Sequence, residues 1–210
     1  SGVVYCNVTV GAGTKLSTLC NFALNHSCTG LEFAYGIPGT VGGAIYMNAG
    51  AYGGEMKDVL TSVEYLAADG NIVEVPAAEL DLSYRHSIFE ENGGCILSAT
   101  FRLKKGDAAS IKARMDELMQ KRIDKQPLDK PSAGSTFKRP AGYYAAALID
   151  QCGLKGLTVG GAQVSEKHAG FVINRGGASC ADVTALMAEI QKRVREQTGV
   201  VLEPEVRVIT

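Results

Sequence analysis

Gly36, Gly39, Gly42 and Gly43, followed by Asn48 and Gly50, make the stretch GIPGTVGGAIYMNAG the densest chemical signal in the sequence. Backbone stripped of side chains can bring its N–H groups close to a phosphate or a flat ring, and Asn48 adds an amide. A dinucleotide would fit there. The spacing is not the GxGxxG of a Rossmann fingerprint, and no strand and ribose-binding acid frame it. A glycine-rich turn needed only for tight packing is the alternative.

Four further segments could do chemistry. In Tyr84-Arg85-His86-Ser87, the arginine can clamp a carboxylate bidentately or stabilise developing enolate charge, with a surface salt bridge as the plainer role. In Ser132-Ala133-Gly134-Ser135-Thr136-Phe137-Lys138, Gly134 frees the backbone to present Ser135; nothing resembles a GxSxG elbow, so a serine hydrolase is not supported. In Ser165-Glu166-Lys167-His168, a histidine beside a lysine suits an anionic ligand. In Leu202-Glu203-Pro204-Glu205-Val206-Arg207, Pro204 imposes extended geometry, and alternation puts Glu203 and Glu205 on one face. Two like charges there tend to raise one pKa, which suits a proton donor; solvated carboxylates on an edge strand are the alternative.

The elements that must position these residues are a mixture. Val3 to Val10 reads as a strand, and Leu16, Leu19, Cys20, Ala23 and Leu24 recur at helical spacing. Asp69-Gly70 marks a hairpin between Ser62 to Ala67 and Asn71 to Val75, and Ile96 to Leu103 is another strand. Asp107 can cap a helix with Ile111, Met115 and Leu118 on one face, ending before Pro127. A proline-punctuated link follows. A helix at Tyr143 to Cys152, a strand at Gly170 to Asn174, a helix from Ser179 to a C′ glycine at Gly199, and a final strand at Glu205 to Ile209 complete the chain. Helices and strands without regular βαβ alternation give an α+β class, with domains expected at 1–106 and 107–210.

The 210 residues suffice for one large or two small domains, and 46% apolar with 20% charged residues is a globular composition. Twenty-one basic against 22 acidic residues leave a net charge of −1, without the basic footprint of a nucleic-acid binder. The uncharged stretch from Phe33 to Gly54 holds too many glycines, and Pro38, to be a membrane span, and reads as loop-rich. No signal peptide is visible. The six cysteines keep no metal-like spacing, so no metal is expected, and read as buried thiols of a reducing compartment.

In this order, GIPGTVGGAIYMNAGAYG, YRHSIF, KQP, SAGSTFK, VSEKHAGFVIN and LEPEVR make the chain, from about Gly30 onward, resemble the UDP-N-acetylenolpyruvoylglucosamine reductase (MurB) family, in its compact subtype. The resemblance implies the second lobe of a vanillyl-alcohol-oxidase-like FAD-binding domain followed by the family's C-terminal substrate-binding domain. Because the chain starts at Ser1-Gly2-Val3, the resemblance also implies that the family's N-terminal FAD-binding lobe is not included. It implies a cytoplasmic, monomeric flavoenzyme that uses NADPH to reduce UDP-N-acetylglucosamine enolpyruvate to UDP-N-acetylmuramate, without nucleic-acid or membrane partners. Another flavin oxidoreductase of the same fold, or a non-catalytic UDP-sugar-binding fragment, is the competing expectation.

Residue by residue, the resemblance assigns FAD contacts to Gly36, Gly39, Thr40, Gly42, Gly43 and Asn48. The proton donor corresponds to Ser135, and the groups stabilising the enol intermediate to Arg85 and Glu205, with Glu203 two residues away as the competitor. Lys125 and His168 correspond to substrate contacts. Arg139 stands where some members have an asparagine.

Overall fold

Alternation turns Cys6, Val8 and Val10 to one side of the first strand, β1 (Tyr5–Gly11). The computed structural model describes residues 2–209. It continues with α1 (Leu16–Asn25), whose Leu16, Leu19, Cys20 and Ala23 are buried at helical spacing, and β2 (Cys28–Thr29). Next come α2 (Val41–Tyr46), the short pair β3 (Gly50–Ala51) and β4 (Gly54–Glu55), the hairpin β5 (Leu60–Leu66) and β6 (Ile72–Pro76), then α3 (Phe89–Asn92), β7 (Cys95–Lys105) and α4 (Ala108–Lys125). An antiparallel sheet runs β1-β7-β5-β6, and β2 also pairs with β7. The hairpin turns where Asp69-Gly70 predicts: Gly70 has φ +88, and Asp69 Oδ1 accepts from Asn71 N at 3.0 Å. As expected, Asp107 caps α4, accepting the Ser110 amide at 2.8 Å.

The second part contains β8 (Ser132–Ser135), α5 (Ala145–Gln151), β9 (Thr158–Val159), β10 (Ala162–Val164), β11 (Phe171–Asn174) and α6 (Cys180–Thr198). Its antiparallel sheet runs β8-β11-β10-β9. Helix α6 starts in a capping box, with Asp182 N donating to Ser179 Oγ at 3.1 Å and Ser179 N to Asp182 Oδ2 at 2.9 Å, and stops at Gly199 with φ +74. It buries Leu186, Met187, Ile190 and Val194, each contributing about 1.5 to 3 kcal/mol relative to exposure.

The chain divides into two compact units, Ser1–Arg122 and Ile123–Thr210. The division lies inside α4, later than the boundary expected at residue 107, because Ile111 and Met115 pack into the first core. The expected strand at Glu205 to Ile209 is absent. An isolated bridge joins Phe137 to Pro204, and Val208 and Ile209 are exposed. Pro204 has no N–H with which to continue a ladder. The segment read as loop-rich holds the six-residue helix α2. All six cysteines are free thiols, but Cys95 and Cys180 are exposed, contrary to the expectation that all are buried. Among the described residues, no helix is long and apolar enough to cross a membrane.

Candidate functional site

In the first unit, the glycine segment docks on the loop between β1 and α1. The amides of Val41 and Gly42 donate to Thr14 O and Ala12 O, both at 2.9 Å, and Ala44 N donates to Thr40 O at 2.9 Å. Gly43 N reaches the Thr40 hydroxyl, which caps α2, at 3.5 Å. The amides of Val41 and Gly42 are therefore used internally rather than presented to a phosphate, whereas that of Gly43 is held only weakly. The glycines also differ in what requires them. A Cβ at Gly42 would stand 2.9 Å from Ala12 Cβ, and one at Gly36, itself at φ +90, would meet the Met119 side chain at 3.2 Å. Gly39 has φ +131. Gly43 and Gly13 are different: a Cβ would meet only Thr40 Oγ1 at 3.8 Å in the first case and nothing within 4 Å in the second. Neither has a positive φ. Glycine there leaves a bare surface beside the seam where Gly42 meets Ala12.

Asn48 does not offer its amide to a ligand. It is 1% exposed, donates to Glu55 Oε2 at 2.7 Å and to Ser83 O at 3.0 Å, and accepts from Lys57 N at 3.0 Å. The Lys57 ammonium, with help from Asn48 and the charge of Arg85, holds the Glu55 carboxyl below the usual carboxylate range. Ser83 opens the turn that carries Arg85. Ser83 and His86 exchange both backbone bonds at 3.3 Å, and Arg85 sits between them with φ +56, a left-handed conformation unusual for a side-chain-bearing residue. Its guanidinium lies 5.1 Å from the Tyr84 ring centre. His86 is held between Glu90 at 3.2 Å and Asp81 at 3.3 Å, and these carboxylates, Glu90 foremost, raise its pKa.

In the second unit, Ser135 ends β8. Pairing with β11 shifts register between Ser132 and Ser135, and Gly134, at φ +82, takes up the irregularity immediately before the serine. Ser135 is exposed, and its neighbour Thr136 is buried. Thr136 joins three segments: its N–H donates to Gly170 O at 2.9 Å, its carbonyl accepts from Glu205 N at 2.9 Å, and its hydroxyl accepts from Val172 N at 3.0 Å. Ser135, Glu205 and the loop carrying His168 are thus held by one residue. Glu203 pairs its carboxylate with Lys138 Nζ at 2.6 Å.

The His168 loop is shaped by Ser165, whose buried hydroxyl accepts from the amides of Lys167 and His168 at 3.2 Å each. His168 Nδ1 accepts from Gly170 N at 3.1 Å, which places the proton of the neutral ring on Nε2. Burial lowers the His168 pKa, and the charges of Lys155 and Lys125 add to the effect. Lys125 stands exposed at the end of α4. Arg139 is exposed and stacks on Tyr144 at 3.9 Å.

Comparison with known proteins follows the same division. Residues 4–76 match a family profile described as FAD binding domain, and residues 126–209 match one described as UDP-N-acetylenolpyruvoylglucosamine reductase, C-terminal domain. The UDP-N-acetylenolpyruvoylglucosamine reductase of Agathobacter rectalis is 57% identical over 202 residues, 96% of this chain and 64% of its own length. That of Limosilactobacillus reuteri is 52% identical, with 96% of this chain and 68% of its own length covered. A crystal structure of UDP-N-acetylenolpyruvylglucosamine reductase (MurB) from Thermus caldophilus superposes with a TM-score of 0.86 at 40% identity, over 97% of this chain and 73% of that one. The chain belongs to the UDP-N-acetylenolpyruvoylglucosamine reductase family.

It spans 64% of the length of the A. rectalis reductase. The FAD-binding match covers both loops of the α2 seam, and the reductase-family chain has there, at Gly13 and Gly43, the side-chain-free wall that a flat ring system needs for close approach. The residues present fit such a group. The residues that sequence reasoning missed in this family member are those that act through others: Thr136, Glu55, Lys57 and Ser165. Only Ser165 left a trace, a hydroxyl two and three residues before the amides that it caps.

Proposed function

We propose that this chain carries the chemistry of an NADPH-dependent reductase acting on UDP-N-acetylglucosamine enolpyruvate to give UDP-N-acetylmuramate, as a cytoplasmic monomer. The observation that carries the reading is Arg85, a cation held in a left-handed turn within a chain of this family. Backbone strain of this kind persists where the surroundings over-determine it and is concentrated at functional sites. When bound, FAD supplies the hydride that it takes from NADPH. Gly13, Gly39, Thr40 and Gly43 would form the wall against which it lies.

Hydride arrival at the vinyl carbon builds negative charge on the neighbouring carbon and its carboxylate. Arg85 and Glu205 act on that centre, the first by a bidentate fork to the carboxylate and the second by a hydrogen bond to the enol form. Glu205 is supported over Glu203 because its backbone N–H is bonded to Thr136, the neighbour of Ser135, at 2.9 Å, and it is partly buried where Glu203 is exposed. Ser135, presented by the Gly134 irregularity, delivers the proton that completes the saturated product. Lys125 supplies positive charge for the anionic nucleotide, and neutral His168 offers an Nε2–H donor.

The test is product analysis. With FAD, NADPH and UDP-N-acetylglucosamine enolpyruvate, NADPH consumption should match the appearance of a nucleotide heavier by two hydrogens. NADPH oxidation without that nucleotide would overturn the assignment of substrate.

A further inference from the structure

Both ends of the Arg85 turn are tied to one short segment, the C-terminal end of α2. Before the arginine, Asn48 Nδ2 donates to Ser83 O at 3.0 Å; after it, the Ser87 hydroxyl donates to Tyr46 O at 2.7 Å. Both side chains are enclosed, Asn48 at 1% and Ser87 at 0% exposure. Asn48 itself has φ +40, and its other amide hydrogen and its carbonyl oxygen bond Glu55 and Lys57 N, so it is fixed from a second direction. The opposite end of α2 is the glycine seam. One six-residue helix therefore sets the distance between the bare wall and the arginine.

A left-handed arginine in a four-residue turn would relax toward ordinary backbone geometry if the turn were free, and the guanidinium would swing with it. We propose that Asn48 and Ser87 are positioning residues that hold Arg85 in its left-handed turn and thereby aim its guanidinium at the reacting carboxylate. The role given to the guanidinium rests on the function proposed above; the clamp itself does not.

The experiment uses Ser87→Ala and Asn48→Ala in the whole chain. In 13C,15N-labelled protein, the Arg85 Cα and Cβ shifts should leave their left-handed values in both variants, while Gly134 and Ser135 resonances in the second unit stay in place. If Asn48→Ala fails to fold, Ser87→Ala, which removes one hydrogen bond, decides. A folded Ser87→Ala protein with Arg85 shifts unchanged would overturn the clamp. In the flavin-loaded enzyme, Ser87→Ala should slow enolpyruvate reduction by about tenfold or more without changing the KM for NADPH. Added to Arg85→Ala, it should cost nothing further; losses that multiply would show that Ser87 acts independently of Arg85, and would overturn the proposal. If Arg85→Ala alone reduces enolpyruvate at the wild-type rate, the function given to Arg85 fails, and the chemical shifts still judge the clamp.

Discussion

Arg85 carries a cost in backbone geometry that its side chain must justify. Glycine adopts φ +56 without strain, so Arg85→Gly should give a protein at least as stable as the wild type, the relieved strain of about 1 kcal/mol or more offsetting the extra freedom of the unfolded chain. Its reduction of enolpyruvate should fall at least about a hundredfold, since a charge-assisted bidentate contact is lost. Thermal melts and turnover rates check both halves; a large loss of stability would make the arginine structural. The two histidines with shifted pKa values have opposite signatures. His168, lowered from 6.5 by burial, lets the unfolded chain take a proton first, so it costs stability as pH falls through about 6.5. His86, raised by Glu90 and Asp81, stabilises fully below 6.5 and loses that effect as pH rises through its folded value. Melting temperatures between about pH 5 and 8 should therefore flatten on the acid side in His168→Gln and on the alkaline side in His86→Gln.

At the scale of elements, strong periodicity and cap chemistry were legible in the sequence. Helix α1, the Asp69-Gly70 hairpin, Asp107 before α4 and the Ser179 to Gly199 limits of α6 each follow from residues adjacent in the chain. Helix α2 did not, because the paired glycines Gly42 and Gly43 contradict the propensity rule; what makes it helical is docking on Ala12 and Thr14, far away in sequence. Asn48 reads as a ligand-binding amide in the sequence because its bond to Ser83 O joins segments distant in the chain. The seam makes a further prediction. Gly42→Ala should destabilise by about 1 to 3 kcal/mol, because its Cβ would stand against Ala12. Gly43→Ala and Gly13→Ala have room and should leave the melting temperature unchanged or raise it, yet weaken FAD binding in a flavin fluorescence titration. Equal effects at all three positions would mean that the wall is only packing.

For the whole molecule, the two units have separate cores. Buried residues of the second, from Phe137 to Leu202, all come from within Ile123–Thr210. Residues 123–210 alone should therefore unfold in urea as one cooperative transition; a gradual, non-cooperative loss of signal would show that this core depends on the rest. The α+β class was legible because helical and strand periods are both present without βαβ order. The division was not, because α4 reads as a self-contained amphipathic helix, and only tertiary packing assigns Ile111 and Met115 to the first core. The candidate catalytic groups Arg85, Ser135 and Glu205 were legible as a motif order, whereas the turn, bulge and Thr136 bridge that present them arise from contacts distant in sequence. In the cycle proposed above, Ser135 supplies the proton of the second half-reaction. The decisive measurement is stopped-flow absorbance of the flavin in Ser135→Ala. NADPH should bleach it at the wild-type rate, and reoxidation by UDP-N-acetylglucosamine enolpyruvate should slow by about a hundredfold to ten-thousandfold, the range for a lost general acid. Reoxidation at the wild-type rate, or an equal loss in both phases, would contradict the account.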